Sequence, residues 1–73
     1  MEQSKKVQIP KDVLDGLEAI RVSGKTNMFD VNRVMELALE MGFVDTAFWV
    51  YENRQLYATG IIQGFESNEG GDE

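Results

Sequence analysis

Between Asp30 and Gly42 the apolar residues Val31, Val34, Met35, Ala38 and Met41 recur at intervals of three and four. That spacing places them on one face of a helix and leaves Asn32, Arg33, Glu36 and Glu40 on the other. Both ends are marked in the sequence. Asp30 is a residue type that accepts hydrogen bonds from the free N–H groups of a first helical turn, and Gly42 can take the left-handed conformation that closes a last one. A chain with this segment near its middle must build a partner for the apolar face out of what flanks it.

The preceding segment supplies one. Pro10 suits a helix start, and Val13, Leu14, Leu17, Ile20 and Val22 continue at near-helical spacing until Gly24. Asp12 and Asp15 near the start and Arg21 near the end match the helix macrodipole. These residues predict a helix over 10–22, joined to the second by the short link Gly24-Lys25-Thr26-Asn27-Met28-Phe29.

Residues 43–65 admit two readings. Val44, Ala47, Phe48 and Tyr51 are helically spaced, as are Tyr57, Gly60, Ile61 and Gly64, which predicts two short helices with a break near Asn53. The aromatic and β-branched content of Phe48–Tyr51 and Leu56–Ile62 also fits a hairpin. The turn lacks an Asn-Gly or Asp-Gly pair, and a lone hairpin would expose both edges, which favours helices. The expected fold is all-α, a bundle of about four short helices, with two helices plus a C-terminal β-hairpin as the alternative. So small a core is marginal, and dimerisation is a common supplement.

Charge divides the chain into three parts. Residues 9–65 carry eight acids and five bases, for −3, while 66–73 carry four acids and no base. Residues 1–8 are read as a flexible N-terminus, 9–65 as the single helical domain and 66–73 as a disordered acidic tail. The formal net charge of −6 disfavours direct nucleic-acid binding, which draws on phosphate neutralisation. The chain has no cysteine and no histidine, which removes disulfide frameworks, zinc fingers and Cys or His nucleophile chemistry. No apolar run approaches the ~20 residues that span a bilayer, so no membrane association, a soluble protein and a cytoplasmic location are expected.

Chemical motifs are weak. Ser23-Gly24-Lys25-Thr26 resembles the end of a phosphate-binding loop, but Ala19 stands where the pattern needs its first glycine, and a helix precedes it. Asp12 with Asp15, and Glu36 with Glu40, read as solvated helix faces rather than metal or acid–base sites. A helix-turn-helix through Gly42-Phe43 would present Asp45–Glu52 to DNA without one base before Arg54. No catalytic residue, metal site or cofactor follows, and enzyme activity is not expected.

Two features point to binding. Of the aromatics Phe43, Phe48, Trp49, Tyr51, Tyr57 and Phe65, most are expected in the core. Consecutive residues step by about 100° around a helix, so Phe48, Trp49, Val50 and Tyr51 cannot all face inward. An outward Trp49 or Tyr51 would anchor a partner, unless it packs on Pro10 or the termini. The second feature is the corner Arg21-x-x-Gly24-x-Thr26-Asn27-Met28-x-Asp30. Gly24, Thr26, Met28 and Asp30 are read as structural: a helix end, a bond to free backbone groups, a core plug (with Phe29) and a cap. Arg21 could pair with Asp30 or with loop carbonyls. Arg21, Lys25 and Asn27, with Trp49 and Tyr51, are the expected partner contacts.

On Ile20-Arg21, Gly24 and Thr26-Asn27-Met28-Phe29-Asp30, with Gly42, Trp49, Glu52, Asn53, Tyr57, Ile61 and Gly64 in support, the chain resembles a family of small proteins of unknown function. Those proteins are encoded by bacteriophages and prophages of Gram-positive bacteria, and the likeness covers roughly 9–65. The resemblance implies a viral or mobile-element origin and carries over no catalytic residue. The expected function is that of a phage-type accessory protein in the bacterial host cytoplasm. It would bind a host or phage protein without catalysis, as an inhibitor or antidefence factor. The alternative is an acidic mimic that blocks a DNA-binding host protein, for which Glu36, Glu40, Asp45 and Glu52 would have to share one face.

Overall fold

The structure, a computed structural model, describes residues 6–67. In chain order these form strand β1 (Val7–Ile9), helices α1 (Lys11–Ser23), α2 (Val31–Glu40), α3 (Val44–Glu52) and α4 (Arg54–Gln63), and strand β2 (Phe65–Ser67). The four-helix expectation holds, and the C-terminal hairpin gives way to α3 and α4.

Local chemistry accounts for most boundaries. Pro10 lies just outside α1 in an extended conformation, φ −60° and ψ 151°, and its carbonyl accepts the Leu14 N–H at 3.0 Å. At the end of α2 the Gly42 N–H bonds to the Leu39 carbonyl at 3.2 Å and the Phe43 N–H to the Ala38 carbonyl at 2.7 Å. That nested pair of bonds turns the chain through a left-handed residue, and Gly42 supplies it at φ 86°. Asn53 marks the break between α3 and α4. Its side-chain Nδ2 donates to the Trp49 carbonyl at 3.0 Å, and its own carbonyl accepts the Tyr57 N–H at 2.8 Å, so one residue closes a helix and opens the next.

The core gathers Ile9, Val13, Leu17, Ile20, Val34, Leu37, Val50 and Tyr57, all nearly or fully buried. Apolar area removed from water contributes about 25 cal/mol per Å², so these side chains supply the main favourable term for folding. Two details depart from the periodicity. In α2 the buried positions are Val34, Leu37 and Ala38, while Met41 is exposed; the buried stripe is rotated toward Leu37. In α1 Val22 is exposed rather than part of the apolar face.

Helices α1 and α3 cross closely at Gly16. A Cβ there would stand 2.0 Å from the Thr46 Oγ1, far inside van der Waals contact. Thr46, fully enclosed, donates its hydroxyl to the Val13 carbonyl at 3.4 Å across this crossing. Thus a residue without a side chain on one helix makes room for a small polar one on the other.

The two strands pair in parallel, with Val7 opposite Phe65, Gln8 opposite Glu66 and Ile9 opposite Ser67. This corrects the expected domain limits. Val7 and Gln8 belong to the fold rather than to a flexible N-terminus, and Glu66 and Ser67 to it rather than to a disordered tail. The physical cause is that Val7 and Ile9 point to the core on alternate positions, while Gln8 points out and donates to the Glu66 carboxylate at 2.8 Å. The rest of those two expectations, on residues 1–5 and 68–73, lies outside the described residues.

Candidate functional site

The α1–α2 corner consumes its own polar groups. Gly24 ends α1 at φ 68°, where its N–H bonds to the Arg21 carbonyl at 3.3 Å. The Ser23 hydroxyl donates to the Ile20 carbonyl at 2.6 Å and accepts the Lys25 N–H at 3.2 Å. Asn27 builds the turn twice over: its side-chain oxygen accepts the Phe29 N–H at 2.8 Å, and its carbonyl accepts the Asp30 N–H at 2.9 Å. Thr26 donates to the Asn27 carbonyl at 3.3 Å. Asp30 caps α2 by accepting the Arg33 N–H at 3.2 Å.

The corner is bolted to the core by Tyr57. Its hydroxyl donates to the Met28 carbonyl at 2.5 Å, and burial pushes the phenol up to about 12. Met28 packs against the core as expected. Phe29, read alongside it as a second core plug, is 65% exposed instead. The turn that Asn27 holds sends one of these two neighbours inward and the other out.

Arg21 also departs from expectation. It pairs with Glu18, one turn back on α1, and not with Asp30. The hydrogen bond between them draws the Glu18 carboxyl below its usual value and holds the guanidinium above its own. Lys25 is exposed, and the Asn27 side chain is spent within the loop. Of the three contact residues expected in the corner, two are thus engaged inside the molecule.

Trp49 and Tyr51 have different fates. Trp49 is half-buried, with the Phe65 ring edge-on at 6.1 Å and 81°; Tyr57 flanks the same Phe65 ring at 5.9 Å. It therefore packs on the C-terminal strand. Tyr51 is 64% exposed. The structure does not gather the five expected contacts into one site: Arg21 lines a pocket of about 260 Å³ beside Gly60 and Phe65, and Tyr51 lies in another depression.

That second depression is the candidate site. It is a groove of about 560 Å³ between α2 and α3, walled by Met35, Leu39, Ala47, Phe48 and Tyr51, with Asn32 and Glu36 at its polar margin. Leu39 is 56% and Phe48 59% exposed, so three large apolar side chains stand together in water. Single exposed apolar residues are normal, whereas a contiguous group rimmed by polar ones marks an interaction surface. Phe48 belongs to the aromatic group of which most members are expected in the core, and Leu39 is not among the residues that the sequence singles out. The available signal was angular: Leu39 lies off the stripe that carries Val34, Leu37 and Ala38.

Around the groove stand two acidic groups and one base from α4, Arg54, whose guanidinium donates to the Asn32 side-chain oxygen on the groove's margin at 3.3 Å. Glu36 and Glu40 share Arg33, at 3.0 and 3.5 Å. Asp45, at the start of α3, lies beside Asp12 of α1, and interaction with that second carboxyl raises the Asp45 carboxyl above its usual value. These two carboxylates sit with Glu52, Phe48, Trp49 and Pro10 around a shallower depression of about 330 Å³. The four acids that a mimic would align are thus divided, two of them paired with a base. Among the described residues no group of three or more His, Cys, Asp or Glu could hold a metal ion, and no helix is long and apolar enough to cross a membrane.

Neither the curated proteins nor the solved structures provide a match to this chain. Residues 9–65, most of its length, match one family model, that of a domain of unknown function, DUF5049. The matched span begins in β1, ends in β2 and contains all four helices, the corner and the groove. The chain belongs to the DUF5049 family.

Proposed function

We propose that this protein is a non-catalytic accessory factor of bacteriophage or prophage type. It acts by binding a host or phage protein and occupying a surface that the partner needs, as an inhibitor or antidefence factor does. The observation that carries this reading is the α2–α3 groove, where Leu39, Phe48 and Tyr51 are exposed side by side. Tyr51 remains the contact residue supported by both sequence and geometry. Leu39 and Phe48 join it, and the corner holds the helices that carry them.

Affinity capture from host lysate with the full chain tests this, comparing wild type, Leu39→Ser/Phe48→Ser, and Val22→Ser/Ile62→Ser. The last pair alters exposed apolar residues outside the groove walls. A stoichiometric partner held by wild type and the Val22/Ile62 variant but not by the groove variant is the expected result. Capture that ignores the groove variant, or no partner at all, overturns the reading. The acidic-mimic alternative would instead show a nucleic-acid-binding partner, released by duplex DNA and by rising salt.

A further inference from the structure

Phe48 stands between two depressions, and their linings share a property. The apolar groove contains Glu36; the shallower one on the other side of Phe48 contains Asp12, Asp45 and Glu52. Among the described residues no lysine or arginine lines either. An exposed aromatic anchor is therefore flanked by four carboxylates. Within α2 and α3 the only base is Arg33, already shared by Glu36 and Glu40. Asp12 and Asp45, meanwhile, face each other closely enough to perturb the Asp45 carboxyl.

This charge pattern selects among occupants. A second copy using the same face would bring Glu36, Asp45 and Glu52 against their own duplicates, and like charges across an interface are costly. A wholly apolar segment would bring no cation to Asp12, Asp45 and Glu52, which no base among their depression's described lining residues offsets. A helix with an apolar stripe bordered by cations satisfies both demands: its stripe fills the groove, and its Lys or Arg side chains reach Glu36 on one side and the Asp12–Asp45–Glu52 group on the other. Groove length agrees. Helix α2 has 10 residues, about 15 Å at 1.5 Å per residue, which accommodates anchors at i, i+4 and i+7 of a partner helix.

We propose that the α2–α3 face receives a basic amphipathic helix of the partner protein, with Phe48 as the central anchor. This names the chemistry of the partner and rests on the protein-binding reading above.

The test uses the full chain and three synthetic helical peptides of about 20 residues, long enough for measurable helicity. The first has a leucine stripe flanked by Lys and Arg. The second keeps the stripe but has Glu flanks, and the third keeps the Lys and Arg composition with the stripe dispersed. Calorimetric titration should show binding of the first, at least about tenfold weaker binding of the other two, and a similar loss with Phe48→Ser. Higher salt should weaken the first peptide several-fold through screening. Phe48 is exposed, so circular dichroism of Phe48→Ser should match wild type; should it unfold, Phe48→Tyr and Leu39→Ser provide the same comparison. The proposal is overturned if the first peptide does not bind, if Lys/Arg and Glu flanks bind equally, or if the groove variants bind as wild type does. Sedimentation showing a dimer that Phe48→Ser dissolves also overturns it, in favour of a second copy. A lysate partner that depends on Phe48, together with peptides that do not discriminate, sinks this inference alone. Loss of Phe48-dependent capture removes the broader reading.

Discussion

The corner at 24–30 and the face formed by α2 and α3 are neighbours that solve opposite problems. In the corner, small polar side chains satisfy backbone groups that a tight turn leaves free, and Tyr57 fastens the result to the core. On the face, large apolar side chains are left exposed, with no covering element among the described residues. The first arrangement is explained by folding alone. The second is not, because exposing Leu39, Phe48 and Tyr51 together contributes little to stability. Distinctive sequence is therefore a poor guide to function here: the most recognisable motif is spent on architecture, and the binding candidate lies in residues that look ordinary.

The largest expected effect separates the two regions by function. Leu39→Ser/Phe48→Ser should weaken partner capture by about 30-fold or more, as removal of about 2 kcal/mol at an interface anchor does. The melting temperature should stay close to wild type, since surface substitutions usually change stability by within ~0.5 kcal/mol. A large drop in melting temperature would place these residues in the fold rather than in a site.

Next in size is the crossing beneath the face. Gly16→Ala forces a methyl group against Thr46 and should cost about 1–3 kcal/mol in denaturant unfolding, the range for overpacking. An unchanged midpoint would mean that α1 and α3 can separate at no cost.

The corner is probed by Tyr57→Phe, which should cost about 1 kcal/mol through loss of the bond to the Met28 carbonyl. Tyr57 also gives a pH signature. Its phenol titrates at 10.0 when exposed and at about 12 in the fold, so the unfolded chain loses its proton first as pH rises. Its contribution is then complete below about pH 10 and declines through the interval up to about pH 12. Tyr57→Phe should flatten that part of the stability profile, and an unaltered decline would show that another group causes it. Asp30→Ala should cost a comparable or smaller ~1 kcal/mol by removing the α2 cap, measured by thermal unfolding.

The smallest effect concerns the acid pair. With Asp12→Asn, NMR titration should show the Asp45 carboxyl returning downward toward its ordinary value, since Asp12 supplies the main cause of its elevation. No movement would mean that the two groups do not interact in solution, which would weaken the case for a cation seated between them.

How much of this was legible beforehand varied with distance along the chain. Helices α1 and α2 followed from spacing, from Asp30 and from the two glycines that end them, all signals within one element. The break at Asn53 was readable for the same reason. The strands were not, because three residues carry no pattern of their own and Val7 meets Phe65 only after four helices have intervened. The 100° step shows that Phe48, Trp49, Val50 and Tyr51 cannot all face inward and sets at least one of Trp49 and Val50 apart from Phe48 and Tyr51, but not which side is buried: Val50 is enclosed, Phe48 and Tyr51 are exposed, and Trp49 is covered by Phe65, which arrives with β2.

By itself, then, the sequence determined where helices start, stop and turn, and which broad face of each is apolar, because hydrogen bonding and periodicity act over a few residues. Tertiary structure alone decided which apolar residues stay wet. Among the described residues, α1, α4 and the strand pair pack around the core and leave the outer seam of α2 and α3 uncovered, and a side chain is buried only where another part of the chain arrives to meet it.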